Sequence, residues 1–586
     1  MIVKMNKITL LCMEQDRGSS LEALRELGVL HIRPIVAPAG AELDEAREQL
    51  AGVQHVADVL AAADAPAGDA VNISEQDLET ISALIVERQE VEDARSATEQ
   101  EMRRIAPFGE FEPGLIESLA NAGVRVKLYR MNIKQDLEIP DGIACVEIGA
   151  DETDRYLALI GDGDVSCDGQ EMPPPEQSFA NMTAARARQN DRLSAIAIEL
   201  ATYSRGMQAI TGHVGSMDDK VRFIEAREGM GAAESIAYLE GFCPVERTND
   251  IETAAATHGW GLVVAEPAAD DSPPSLLKNP KWVRPIKAVL DVIKILPGYK
   301  EQDISMIFLM FFSLFFAMLI GDAGYGLLVL AGTLFARAKM KRAPAYPFTM
   351  LTILSIGTVI WGTLTGNYFG IPMEHAPLRG LQIGWLSEQK NVMGLCFLIG
   401  AIHMTIAHTW RFMVFQPGKR CLEQLGWIGV VWSMFFIARK LVTEVPWPTI
   451  TMGLLGVSIA LIVLFKEKDP DMKIEAINLA MLPLDLVGSL VDVISYIRLF
   501  AVGMASLAVA QSFNEMAMNF GFGNVMTGLI TALILILGHT LNIILCGLAV
   551  LVHGVRLNTL EFSMHMGLEW SGVRYTPFAR TNEQAT

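Results

Sequence analysis

Everything after residue 303 is a succession of apolar runs of bilayer-spanning length, and this constrains the fold of the chain more than any other feature. Eight transmembrane helices are predicted, near 304–320, 324–338, 346–369, 391–415, 425–442, 447–465, 477–518 and 524–566. The second is short, and the turn before it, GDAGYG, is expected to be tucked into the protein. The last two run to about 40 residues, roughly 60 Å of helix against a hydrocarbon core of about 30 Å. They must therefore tilt steeply, break, or emerge beyond the bilayer.

The half that precedes these spans is of a different kind. The first 300 residues, with 29 Lys and Arg against 50 Asp and Glu, carry −21, and the rest of the chain +1, of the net charge of −20. That composition describes an acidic, water-exposed body and argues against nucleic acid as a partner, since phosphates would be repelled. Seven scattered cysteines with no CxxC pair suggest neither a disulfide framework nor a zinc site, and no metal or cofactor is expected. The opening MIVKMNKITLLCMEQ has too short an apolar core for a secretory signal, which places the amino terminus in the cytoplasm.

Within this half, KITLLCM, SSLEALRELG and VLHIRPI read as a small strand–helix–strand unit, and IAYLEGFCP, DIETAAATHG and GLVVAEP read as a second. Between them GVRVKLYRM, IACVEIG and RYLALIG are expected as strands of a globular tip. Leu193, Ile196, Leu200, Tyr203, Met207, Ile210, Val214, Met217, Val221 and Ile224 recur at alternating spacings of three and four, which predicts a coiled coil. Its expected antiparallel partner is the helix at 74–106, opened by a capping-box-like SEQD at Ser74. The predicted fold is thus a cytoplasmic α+β domain (1–296) with a long coiled-coil hairpin (helices 74–106 and 176–228), followed by a transmembrane domain (297–586). The basic stretches RAKMKR, RFMVFQPGKR and KEKDPDMK put both chain ends on the cytoplasmic side, with Arg439 and Lys440 counting mildly against.

Arg498 is the one charged residue between Asp492 and Glu515. A guanidinium near the centre of a span costs at least about 2.5 kcal/mol on insertion scales, so it calls for a function. On a helix its face continues through Ala501, Val502, Ala505, Val509 and Ser512, none bulkier than valine, a smooth track on which another helix can approach closely. Asp485 and Asp492 point away from it, so an ion pair along its own helix is not expected. The last span carries a second arginine, Arg556, on a face with Val552, Ala549, Leu545 and Asn542, with His553 at its margin; snorkelling to the headgroups is the alternative reading. A fixed cation facing such a track suits a partner with a buried carboxylate. Opposite charges at about 4 Å attract by roughly 4 kcal/mol at an effective dielectric near 20, enough to force that carboxylate to release a bound ion. His403 and His408, five residues apart, lie about 140° apart on a helix, which suits packing better than metal binding.

GDAGYG (321–326), GNYFG (366–370), SYIRLFAVGMA (495–505), HGVRLNTLEF (553–562), RYTPF (574–578) and YLEGFCP (238–244) together resemble subunit a, also called subunit I, of the rotary V-type and archaeal-type ATPases, in its prokaryotic form. The resemblance implies that Arg498 is the stator arginine facing a rotating ring of proteolipid subunits and Arg556 its companion. It implies two offset half-channels, with Asp485, Asp492, Ser495, Tyr496, Ser506, Gln511, His539, Asn542, His553 and Glu561 as ion-pathway candidates. It also implies peripheral-stalk, central-stalk and catalytic-head subunits as partners, coupling H⁺ or Na⁺ flow to ATP hydrolysis or synthesis. Two positions depart from the eukaryotic pattern: Ser506 stands where many relatives carry histidine, and Cys546 where they carry glutamate. No GxxxxGK[ST] loop occurs, so the chain itself is not expected to hydrolyse ATP. A stand-alone secondary ion transporter and a membrane-anchored coiled-coil scaffold are the competing readings.

Overall fold

The computed structural model describes the chain except for residues 64–70, 136–141, 163–166, 342, 372–378, 467–471 and 581–586. Much of the basic KEKDPDMK stretch therefore lies outside the described residues. The chain divides into two compact units, one of Met1–Lys7, Phe242–Thr248 and Val264–Thr576, the other of Ile8–Gly241, Asn249–Val263 and Pro577–Thr586.

Both expected strand–helix–strand segments are formed, most of their residues in the second unit: β1 (Met5–Met13), α1 (Arg17–Leu27) and β2 (His31–Arg33), then β8 (Ile236–Pro244), α7 (Thr248–His258) and β9 (Gly261–Ala265). They form one sheet rather than two, in the order β2-β8-β1-β9, with β7 (Gly231–Ala233) paired to β8. Ile8, Leu10, Leu21, Leu24 and Leu30 of the first segment and Leu239 of the second are fully buried. A four-stranded antiparallel sheet, β4 (Ala144–Ala150), β5 (Asp154–Gly161), β3 (Arg125–Asn132) and β6 (Gln170–Met172) in that order, holds the three strands predicted for a tip. The short helix α4 (Pro113–Asn121) precedes it.

The helical part corrects the predicted single hairpin. The long apolar seam is carried by two helices, α5 (Phe179–Tyr203) and α6 (Met207–Glu228), separated by a 3₁₀ turn at Ser204–Gly206. At Gly206 a Cβ would come within 2.4 Å of Ile73, so the glycine admits that side chain where the seam breaks. α5 packs on α3 (Glu75–Ile105), burying Ile196 and Leu200 with Ile81, Leu84 and Ile85. α6 packs instead on α2 (Ala41–Ala61), absent from the sequence reading, through Val221 and Ile224 against Leu43 and Ala46. Both pairs are antiparallel, as the order of their cross-links shows: Glu87 meets Arg192 while Thr98 meets Gln189, and Glu42 meets Arg227 while Gln49 meets Lys220. The capping box at Ser74 is formed with Asp77.

In the first unit, α8 (Lys287–Ile293) precedes α9 (Ser305–Ile320), α10 (Ala323–Lys339), α11 (Ala345–Thr365), α12 (Gln389–Val414), α13 (Arg420–Thr443) and α14 (Thr451–Phe465). Two long apolar stretches follow. The first joins α15 (Met472–Ser495) and α16 (Ile497–Phe520); the second runs from α17 (Val525–Ala549) to α18 (Ser563–Met566) through π-helical turns. Among the described residues, five stretches are long and apolar enough to cross a membrane: Ala345–Thr365, Gln389–Val414, Arg420–Thr443, Leu479–Phe520 and Val525–Met566. α9 and α14 are apolar but shorter, and α10 has 17 residues. α9 is cut short by Gly321 in the left-handed region (φ 67°), and the turn that follows is buried, as expected for GDAGYG. Asp322 caps α10 by accepting from the Gly324 and Tyr325 N–H groups at 2.7 and 3.1 Å, and it reaches the Gly370 N–H of GNYFG at 3.2 Å. Phe308, Phe315, Leu319, Phe397, Met404, Val430, Tyr496, Leu499 and Phe562 belong to one buried cluster among these helices.

Candidate functional site

Arg498 sits just after a break in its helix. The Tyr496 and Leu499 N–H groups bond three residues back, to Val493 and Tyr496 carbonyls, instead of four. The Ser495 carbonyl is thereby released from the α-helical ladder, and Arg498 Nε donates to it at 2.9 Å. Tyr496, fully buried, donates or accepts at His403 Nδ1 (2.8 Å), whose ring stacks between Phe311 and Phe562. His403 is thus a packed core residue.

The guanidinium of Arg498 is ion-paired to Glu561, and Arg556 Nε lies 3.5 Å from the same carboxylate oxygen. From sequence, carboxylates are weighed only along the helix of Arg498, and Glu561 lies on the other long stretch. In α-helical winding Glu561 would also lie about 140° from Arg556. Val550–Gly554 and Leu557–Phe562 are instead π-helical, and in that winding the residue five positions on returns to the same face. The track beside Arg498 is open: Ala501, Ala505 and Ser512 are exposed, and Val502 and Val509 half-buried.

Two chains of hydrogen-bonded polar groups flank the arginines. In the first, Asn542 Nδ2 donates to the Ser506 carbonyl and to the Tyr325 hydroxyl, each at 3.0 Å. The tyrosine's own hydrogen is then free for His539 Nδ1 at 2.7 Å. That leaves the proton of the neutral ring on Nε2, which donates to Asn514 Oδ1 at 3.1 Å, while Asn514 Nδ2 donates to the Phe369 carbonyl at 2.7 Å. At the other end Ser506 Oγ lies 3.1 Å from Cys546 Sγ. Gly538 lets α17 approach α16 here, since a Cβ would come within 2.3 Å of Phe513. In the second chain, His408 Nδ1 donates to Gln424 Oε1 (2.9 Å), so its Nε2 accepts from His565 Nδ1 (3.0 Å). His565 Nε2 lies 3.1 Å from Asp492 Oδ2, which closes the chain.

Of the residues singled out from sequence, Arg498, Ser495, Arg556 and Glu561 come together, as do Ser506, Asn542 and His539 with Cys546. Tyr496 pairs with His403, and Asp492 with His565. Asp485 and Gln511 are exposed, and His553 Nδ1 is buried without a hydrogen-bond partner among the described residues. Sequence reasoning missed Tyr325, Asn514, His565 and Gln424 as members of the chains. Only Tyr325 carried a signal, its place in the buried GDAGYG turn.

No family model matches the sequence. The chain is 27% identical over 620 residues to "V-type ATP synthase subunit I" of Borreliella burgdorferi, covering 99% of this chain and 100% of that one. It is 29% identical over 626 residues to "V-type ATP synthase subunit I 1" of Treponema pallidum, with the same coverage. "A-type ATP synthase subunit I" of Methanocaldococcus jannaschii is 27% identical over 407 residues, 62% of this chain and 58% of that one. Among solved structures, the "cytoplasmic N-terminal domain of subunit I, homolog of subunit a, of V-ATPase" matches 44% of this chain and 99% of its own at 15% identity, with a TM-score of 0.23 that supports no argument about fold.

Proposed function

Because the chain is a homologue of the V/A-type ATP synthase subunit I proteins along its whole length, and with them a multi-pass membrane subunit of a rotary ATPase, we propose that it is the stator against which a proteolipid ring turns. Arg498, with Arg556, faces the ring. A ring carboxylate arriving beside this fixed positive charge gives up its H⁺ or Na⁺ and takes a new ion after moving on. The chain Asn514–His539–Tyr325–Asn542–Ser506 serves the outer half-channel, with Cys546 in place of the carboxylate that many relatives carry. The chain Asp492–His565–His408–Gln424 serves the inner one. In this reading residues 1–296 form the cytoplasmic part that holds peripheral stalks against torque, residues 297–586 cross the bilayer eight times, and both ends are cytoplasmic.

The observation that carries the reading is the exposed track of small side chains on α16 beside a pair of guanidiniums, with a polar chain on either side. Single-file small residues let a neighbouring helix approach closely enough for its carboxylate to reach the cation. The test is Arg498→Ala in the complete complex, purified and reconstituted in vesicles. ATP-driven ion uptake is expected to vanish while the ring and catalytic head still co-purify. Uptake at the normal rate would sink the stator reading, and uptake with no ATPase partner would support a stand-alone transporter.

A further inference from the structure

We propose that Glu561 is the resident counter-ion of Arg498, a carboxylate of this chain that occupies the guanidinium between visits of ring carboxylates and is not itself a station on the ion path. The proposal rests on the stator reading of Arg498 given above. Three observations carry it. Glu561 is 3% exposed, and its Oε1 serves both Arg498 and Arg556. Its Oε2 is buried with no hydrogen-bond partner among the described residues, so neither polar chain hands it a proton. Its position is set by a local departure from α-helix: the π-helical turn Leu557–Phe562 brings Glu561 onto the face of Arg556, from which it reaches across to α16.

The charge count explains what this does. Two guanidiniums and one carboxylate leave a net charge of +1, and the exposed side of the cluster is Arg556, at 54%, against 20% for Arg498. A ring carboxylate that reaches the cluster makes it neutral. When it leaves, Arg498 falls back on Glu561 and is never left without an anion in a low-dielectric surrounding. Without Glu561 the cluster carries +2, holds each arriving carboxylate more tightly, and releases it more slowly. Glu561 is therefore a positioning residue that sets the strength of the arginine site.

The experiment compares Glu561→Gln, the double variant Arg556→Gln with Glu561→Gln, and Arg498→Ala, all in the reconstituted complete complex, reading ATP-driven ion uptake and passive ion leak per assembled ring. Glu561→Gln keeps the shape and an acceptor oxygen, so a structural role alone leaves uptake near normal. The proposal expects uptake to fall at least about tenfold with no rise in leak. The double variant restores the net charge of +1, and it is expected to pump several-fold faster than Glu561→Gln. Uptake within twofold of normal for Glu561→Gln, or a double variant no faster than the single one, overturns the proposal. If Glu561→Gln does not assemble, Glu561→Asp carries the test: it keeps the charge and is expected to retain more uptake than the double variant, and equal or lower uptake overturns the idea. Normal uptake by Arg498→Ala defeats the stator reading itself, whereas a dead Arg498→Ala beside a normal Glu561→Gln defeats only the counter-ion role.

Discussion

Replacing Tyr325 by Phe removes one oxygen atom from the middle of the first polar chain and leaves the packing intact. The ring is 1% exposed and meets Phe369 and His539 edge-on, at centroid distances of 5.4 and 5.8 Å, contacts that phenylalanine retains. The hydroxyl makes two hydrogen bonds, 2.7 Å to His539 and 3.0 Å from Asn542. Each is worth about 1 kcal/mol net, and a buried group left without its partner costs about 1–3 kcal/mol, so the expected loss of stability is roughly 2–3 kcal/mol. If the chain conducts, the loss of function is of another kind, because the hydroxyl joins His539 to Asn542. Ion uptake per assembled complex is then expected to fall at least about a hundredfold, the low end of what a positioned proton-transferring group contributes. Thermal inactivation of the purified complex measures the first effect, and ATP-driven uptake in vesicles the second. Uptake within twofold of normal, accompanied by the expected loss of stability, would show that the chain only holds α10 to α17. An unchanged inactivation temperature would refute the hydrogen-bond account itself.

Gly362→Ala places a Cβ 2.1 Å from the Ala323 nitrogen and 2.7 Å from the Asp322 carbonyl carbon, both backbone atoms that cannot swing aside. A loss of about 1–3 kcal/mol or more is expected as α11 is pushed off the buried turn, seen as faster thermal inactivation of the complex. In the second unit, Ile196→Ala empties a fully buried position between α5 and α3 and is expected to cost about 2–5 kcal/mol, whereas Glu87→Gln loses only a solvent-screened pair with Arg192 and is expected to cost far less. Hydrogen exchange of the α5 amides in the intact protein ranks the two, and the reverse order would show that ion pairs rather than the apolar seam hold the helices. Asp151 accepts from the Thr153 and Asp154 N–H groups and the Tyr156 hydroxyl, which hold its carboxyl well below the ordinary aspartate range. A depressed folded-state value means stability that is present above about pH 4, the unfolded value, and is lost as pH falls towards the folded one. Protection of the β5 amides relative to the intrinsic exchange rate at each pH should therefore fall on acidification below about pH 4. Asp151→Asn should remove that dependence, and an unchanged pH profile in the variant would refute it.

The features legible along the chain were those decided by short stretches. Apolar run length marked the five stretches long enough to cross a membrane, alternation marked the strands, the Ser74 capping box marked where α3 begins, and the small-residue track on α16 followed from the helical repeat. Each depends on residues a few positions apart, whose spatial relation is set by backbone geometry alone. What the fold decided was who meets whom. The regular seam from Leu193 to Ile224 carries no sign that its two halves find different partners, because an apolar stripe is complementary to any other, and the break at Gly206 depends on Ile73, far away in sequence. Nor does the sequence show Tyr325 meeting His539 and Asn542, more than 200 positions on. The counter-ion of Arg498 was hidden for a further reason. Its place depends on a few turns wound as π rather than α, a choice that the packing around residues 550–562 makes and that no local propensity announces. One chain thus wrote its arginines plainly into the sequence and left their electrostatic setting to be settled by helices that touch only once the protein has folded.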